Sequence, residues 1–129
     1  MLSSTIVIPE EVPGMSPDDV RCLREQVGAA DRVLRDEAAK LAGHTIVAEW
    51  RPAGPGPRAN GPVTDLDLRL ESAHLTVPIS GEELDSPERL RRRLRRELWS
   101  LVTTYATSVS DRIARLADQI THELSVAEA

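Results

Sequence analysis

Hydrophobic positions along the chain change their period from helical to alternating and back to helical. Val20, Leu23, Val27, Ala30, Leu34, Ala38 and Leu41 recur at spacings of three and four, which puts them on one face of a helix. Ser16-Pro17-Asp18-Asp19 starts that helix: a hydroxyl N-cap, a proline at the first helical position and two acids at the positive end of the dipole. Gly43 is its C-terminal stop. The predicted helix is about 26 residues long, with Gly28 as its weakest interior position.

Before it, residues 5–8 (Thr-Ile-Val-Ile) form a short β-type run closed by Pro9 and the Pro13-Gly14 pair, predicting an edge strand. After it, residues 44–51 alternate, with Ile46, Ala48 and Trp50 on one side. Residues 52–62 hold four Pro and three Gly and predict a flexible exposed loop between two strands. Leu66, Leu68 and Leu70 are apolar at even positions, and Ala73, Leu75, Val77 and Ile79 at odd ones. The parity flips at Glu71-Ser72. A two-residue hairpin does this, pairing Leu70 with Ala73, Leu68 with Leu75 and Leu66 with Val77 on one face. A β-bulge in a single long strand is the alternative.

Ser86-Pro87-Glu88 repeats the start signal of the first helix. Its apolar stripe is Leu90, Leu94, Leu98, Val102, Tyr105, Val109, Ile113, Leu116, Ile120 and Leu124. Unbroken, this helix is about 58 Å long at ~1.5 Å per residue, while a compact chain of this size is only about 35 Å across. It must overhang the rest of the protein or break. Residues 103–110 are nearly all poor helix formers, and Ser108 with Asp111 makes a capping box for a second helix. The predicted architecture is α+β, in the order (β)-α-β-β-β-α: an antiparallel meander packed against two long helices, in one domain of 129 residues, with residues 110–129 a protruding or separate C-terminal helix.

Composition adds little chemistry. The net charge is −5, which gives no global attraction to nucleic acid or anionic membranes. Trp50, Trp99 and Tyr105 are the only aromatics, too few for base stacking. Fifteen of the sixteen basic residues are Arg, a bias of GC-rich coding sequence as much as of phosphate binding. Cys22 stands alone, so no internal disulfide is possible, which fits the cytoplasm; beside the buried stripe and next to Arg21 and Arg24, it is expected to be a packed thiol. Residues 1–14 are not a signal peptide, and no stretch reaches the ~18 apolar residues of a membrane span.

Two groups of polar residues stand out. Arg89, Arg91, Arg92, Arg93, Arg95 and Arg96 fall within eight residues, and Arg89, Arg92, Arg93 and Arg96 are the candidate contacts to a phosphate or an acidic partner. Five acids at 82, 83, 85, 88 and 97 reduce the net charge of residues 82–97 to +1, and Glu88–Arg92 and Arg93–Glu97 have ion-pair spacing. On the outer face of the predicted hairpin, Arg69 opposes His74 and Asp67 opposes Thr76, with Asp65, Glu71 and Glu49 nearby. This is an acid cluster with one His, enough for a weak metal or general-base site, but cross-strand polar pairs on a solvated sheet face look the same and are the expected reading. His44 and His122 sit at no ligand spacing. No glycine-rich phosphate loop, nucleophile elbow or paired-cysteine motif is present, and no cofactor is implied.

The order of elements is similar to that of the ribosome-hibernation factors and of the double-stranded-RNA-binding domain. The basic helix start at residues 89–96 resembles the Lys-rich helix start of the latter. That domain's glycine-flanked Ser-Lys-Lys signature is missing, and the first helix is longer. The resemblance implies a ribosome- or structured-RNA-binding protein. The residues themselves favour a non-catalytic interaction module: a homodimer or the subunit of a protein complex, associating through Tyr105, Val109, Ile113, Leu116 and Ile120 on the last helix.

Overall fold

The computed structural model describes residues 1–41, 43–53 and 61–128. Its elements are β1 (Leu2–Ile6), α1 (Pro17–Ala39), β2 (Ile46–Pro52), β3 (Pro62–Leu70), β4 (Ala73–Ser80), α2 (Gly81–Asp85) and α3 (Pro87–Glu128). The four strands lie in sequence order in one sheet, with β1 parallel to β2 and the others antiparallel. The fold is α+β as expected, but the sheet is mixed rather than a pure meander. The reason is α1: a helix between β1 and β2 returns the chain to the same end of the sheet, and the next strand then runs parallel.

The first strand starts earlier than expected, at Leu2 instead of Thr5. Its register pairs Leu2 with Ile46 and Ile6 with Trp50, and Val7 still donates to the Trp50 carbonyl at 2.8 Å. Ile8 then turns into the core, where both Nε and Nη2 of Arg24 hold its carbonyl at 3.0 and 2.8 Å. α1 begins as its sequence dictates. The Ser16 hydroxyl accepts from the Asp19 amide at 3.2 Å, with Pro17 at the first position.

The β3–β4 hairpin has the register that parity demands: Leu70 against Ala73, Leu68 against Leu75 and Leu66 against Val77. There is no bulge at the turn. Glu71 takes φ +52, the only positive φ of a non-glycine among the described residues. The predicted loop is shorter at both ends, since Pro52 pairs with Thr64 and Pro62 with Ser80. Pro62 opens its strand beside a register shift between residues 62 and 64, a position that needs no ladder donor. Residues 54–60 lie outside the described residues.

A short helix, α2, precedes α3. Ser80 accepts from the Glu83 amide while the Glu83 carboxylate accepts from the Ser80 amide, a reciprocal capping box. α3 then runs unbroken for 42 residues, about 63 Å at ~1.5 Å each. Of the two alternatives, overhang or break near residues 103–110, the helix takes the first. Val102 and Tyr105 still pack against the core, and the Thr104 hydroxyl bonds back to the Ser100 carbonyl at 2.9 Å, so the poor helix formers are held in the helix.

Both long helices cover the same face of the sheet. Trp50, Leu34, Ile46, Leu66, Leu68, Ile79, Leu94, Leu98 and Leu101 are all less than 2 % exposed at the centre. The opposite face of the sheet carries Glu49, Asp65, Asp67, Arg69 and His74, and none of these five is buried.

Candidate functional site

The apolar stripe of α3 divides in two. Leu90, Leu94, Leu98 and Leu101 are buried. Tyr105 is half-buried, packed on the core and edge-on to the His44 ring with 6.3 Å between centroids. From Ser110 to Val126 every residue is exposed. Ile113 is 63 % exposed, Leu116 57 %, Ile120 48 % and Leu124 60 %. Of the five residues expected to meet a partner, then, Tyr105 belongs partly to the protein's own core, Val109 is half-exposed at the edge, and Ile113, Leu116 and Ile120 are free. Isolated apolar residues on a surface are ordinary. A continuous helical stripe is not, because a helix of this length gains most of its stability from packing that stripe.

The arginine cluster also divides. Arg91 and Arg95 turn toward α1 and converge on Glu37, a carboxylate only 2 % exposed. Arg91 donates to it at 3.0 Å, Arg95 through two nitrogens at 3.0 and 3.2 Å, and Lys40 at 3.1 Å. The bond from Arg95 does most to lower the Glu37 pKa, from 4.5 to about 2, against the opposing effect of burial. These two arginines fasten α3 to α1. A similar junction holds α1 to the sheet: Asp31, buried, accepts from the Trp50 indole N–H at 3.0 Å, the Ser4 hydroxyl at 3.1 Å and Arg35 at 3.0 Å. Sequence reasoning missed both acids, although each interrupts the apolar stripe of α1: Asp31 four residues after Val27, Glu37 three after Leu34. A charge inside a buried stripe was the available signal.

The other four arginines gather on one surface, with Arg93 half-buried among them. Arg89, Arg92, Arg93 and Arg96 line one shallow depression of about 390 Å³ with Glu83. Arg93 is already engaged, with Glu83 at 2.9 Å, Glu97 at 3.1 Å and the Pro78 carbonyl at 3.2 Å. Arg89 lies 3.8 Å from Glu82 and Arg96 3.5 Å from Glu97. The expected Arg93–Glu97 pair forms. The Glu88–Arg92 pair does not, and among the described residues Arg92 makes no ion pair.

On the open sheet face the predicted register brings Asp67 level with Thr76 and Arg69 with His74. Asp67 accepts one hydrogen bond, from the Thr76 hydroxyl at 2.7 Å, with Arg51 and the His74 Nε2 each 3.6 Å away. Arg51 also bonds Glu49 at 2.9 Å and thereby lowers its pKa. Asp65 is pushed up, first by burial and then by the charge of Asp67. No group of three His, Cys, Asp or Glu among the described residues is arranged to hold a metal ion. Among the described residues the weak metal site weighed for this face is not assembled; the neighbours of Asp67 are Arg51, Thr76 and His74 on the adjacent strands. Cys22 is exposed rather than packed; it follows Arg21 on the outer side of α1, between the buried Val20 and Leu23. No helix of the described residues is long and apolar enough to cross a membrane.

No family model, no curated protein and no solved structure matches this chain.

Proposed function

We propose that this protein is a non-catalytic assembly module, cytoplasmic in setting, that self-associates or docks on a protein partner through the distal half of α3. The observation that carries this is the stripe of half-exposed Val109 and exposed Ile113, Leu116 and Ile120, which continues the core stripe beyond the sheet that covers it. Burying four such side chains contributes several kcal/mol, at ~1.5–3 kcal/mol each. Light scattering across a concentration series tests it. A dimer or larger complex is expected, and Ile113→Glu should dissociate it. A wild-type chain that stays monomeric and captures no partner sinks the proposal.

One observation favours a second reading, binding of structured or ribosomal RNA: the four outward arginines gather on one surface. Such contacts displace counterions, so affinity must fall steeply with salt, whereas a helix interface barely responds. The first reading is preferred because Glu83 and Glu97 occupy Arg93 and offset the field of the depression.

A further inference from the structure

We infer that the distal stripe of α3 pairs with the same stripe of a second copy, antiparallel, about a two-fold axis level with the midpoint of residues 114 and 115. This rests on the assembly role proposed above and specifies its partner and register.

The stripe positions are 105, 109, 113, 116, 120 and 124, with spacings of 4, 4, 3, 4 and 4. That series reads the same in both directions. In an antiparallel pair about a two-fold axis, such a series sets apolar residue level with apolar residue along the whole stripe, with residue i meeting residue j wherever j meets i. Turning one helix over about the central axis brings Tyr105 level with Leu124 of the second copy, Val109 with Ile120, and Ile113 with Leu116. The reciprocal contacts complete six apolar layers. Val109, Ile113, Leu116 and Ile120 also follow the alternating four-three-four spacing of a two-stranded seam. The flanks agree: Arg112 and Glu123, the charged residues beside the stripe, come level with Ala117 and Ala106 of the second copy, so neither meets a like charge at its own height.

The fold also decides direction. The sheet lies on the stripe side of α3, where Leu90, Leu94, Leu98 and Leu101 are buried against it. In a parallel pair each helix would run, over residues 90–105, through the space that the other copy's sheet fills. In the antiparallel pair the two sheets stand at opposite ends and the free stripes meet between them. The strip is roughly 30 Å long and one helix wide, at the lower end of what a stable interface buries. Area alone does not set affinity; the pairing is expected to be weak, with a dissociation constant on the order of micromolar.

The test is cysteine cross-linking of the full chain with Cys22→Ser as background. Val109→Cys and Ile120→Cys are prepared separately, both at positions already accessible. A disulfide needs Cα atoms within about 7 Å. Each variant alone should stay uncross-linked under mild oxidation, and an equimolar mixture should give the covalent dimer. In a parallel pair the two sites are about 16 Å apart along the axis, and each variant would instead link to itself. Self-linking of Ile120→Cys in a protein of dimer mass overturns the antiparallel register while leaving the assembly role standing. A monomer mass at ~100 µM, far above the expected constant, overturns self-pairing altogether and leaves the assembly role to docking on a different protein. Ile113→Glu, which sets two unpaired charges into the seam by symmetry, should weaken the dimer at least ~100-fold; a dimer that is unaffected by it places the contact elsewhere and overturns the inference.

Discussion

Glu37 and Arg95, 58 residues apart in sequence, form a two-pronged ion pair that ties α1 to α3. The carboxylate is buried and the guanidinium half-exposed, so the charge removed from water is the acid, and Arg91 and Lys40 complete its shell. A buried carboxylate of this kind is a weak stabiliser when whole and a costly one to break.

Its pKa gives the first prediction. Glu37 is lowered from 4.5 to about 2, so the folded state binds its proton less readily than the unfolded chain. The stability it contributes is present above about pH 4.5 and is lost as pH falls toward 2. The lowering corresponds to roughly 3 kcal/mol. Urea unfolding from pH 6 down to pH 2.5 should show this loss in the wild type. Glu37→Gln should be less stable by about that amount at neutral pH and should lack this component of the acid dependence. Parallel pH profiles for the two proteins would contradict the assignment.

The second prediction concerns Asp31. It is the acceptor for the indole N–H of Trp50, a side chain with no exposed surface. Removing the acceptor strands a buried donor, which costs ~1–3 kcal/mol. Asp31→Ala should lower the urea midpoint accordingly, and Asp31→Asn, which keeps an acceptor oxygen, should lower it less. Equal losses in the two variants would mean that the Arg35 contact, not the indole, sets the value.

These two acids also mark how far the sequence could be followed. The hairpin register was legible to the residue, because parity fixes which side of a sheet each Leu faces and a slip by one would expose them all. The start of α1 was legible because Ser16 and Pro17 act locally. The partners of Arg91 and Arg95 were not. Six arginines in a row of eight look alike in sequence; which of them turns inward depends on where Glu37 stops on a helix 50 residues away. The short α2 was legible in principle, since Ser80 and Glu83 have capping-box spacing, but the stronger Ser86-Pro87 signal beside it drew the boundary. Continuity of α3 across residues 103–110 was hidden because propensity there is weak and the packing of Val102 and Tyr105 decides.

Glu71 supplies the third prediction. It adopts φ +52 at the first position of the two-residue turn, a conformation that costs a residue with a Cβ ~1–2 kcal/mol. Glycine takes it freely, though its unfolded chain gains entropy. Glu71→Gly should therefore stabilise the protein, by about 0.5–1 kcal/mol. Thermal unfolding checks the sign, and a lower melting temperature would contradict it.

The outward arginines separate on substitution. Arg92→Gln and Arg96→Gln should change stability by less than ~1 kcal/mol, since exposed pairs contribute little. Arg93→Gln should cost more, about 1–2 kcal/mol, because three acceptors around a half-buried guanidinium lose their donor. If the depression binds RNA phosphates, the triple variant should also lose retention on RNA at ~150 mM salt and flatten the salt slope by about one unit per contact. Protein-driven association through α3 should survive the same three changes. An RNA pull-down by the wild type that vanishes in the triple variant would make RNA binding the leading function.

The last prediction follows from the exposure of residues 110–126. A stretch of helix with no tertiary contact is marginal in water at about 17 residues. In the monomer its helicity should be low, and pairing should restore it. Far-ultraviolet dichroism at 222 nm should deepen per residue as concentration rises through the micromolar range, and Ile113→Glu should remove that dependence. Ending the chain after Val109 should leave the core, from Ile8 to Leu101, folded. At ~1 µM, where mass action contributes little, its urea midpoint should match that of the full chain. A truncated protein that unfolds earlier at this dilution would show that distal α3 supports its own sheet. Its apolar stripe would then need no second copy to explain it.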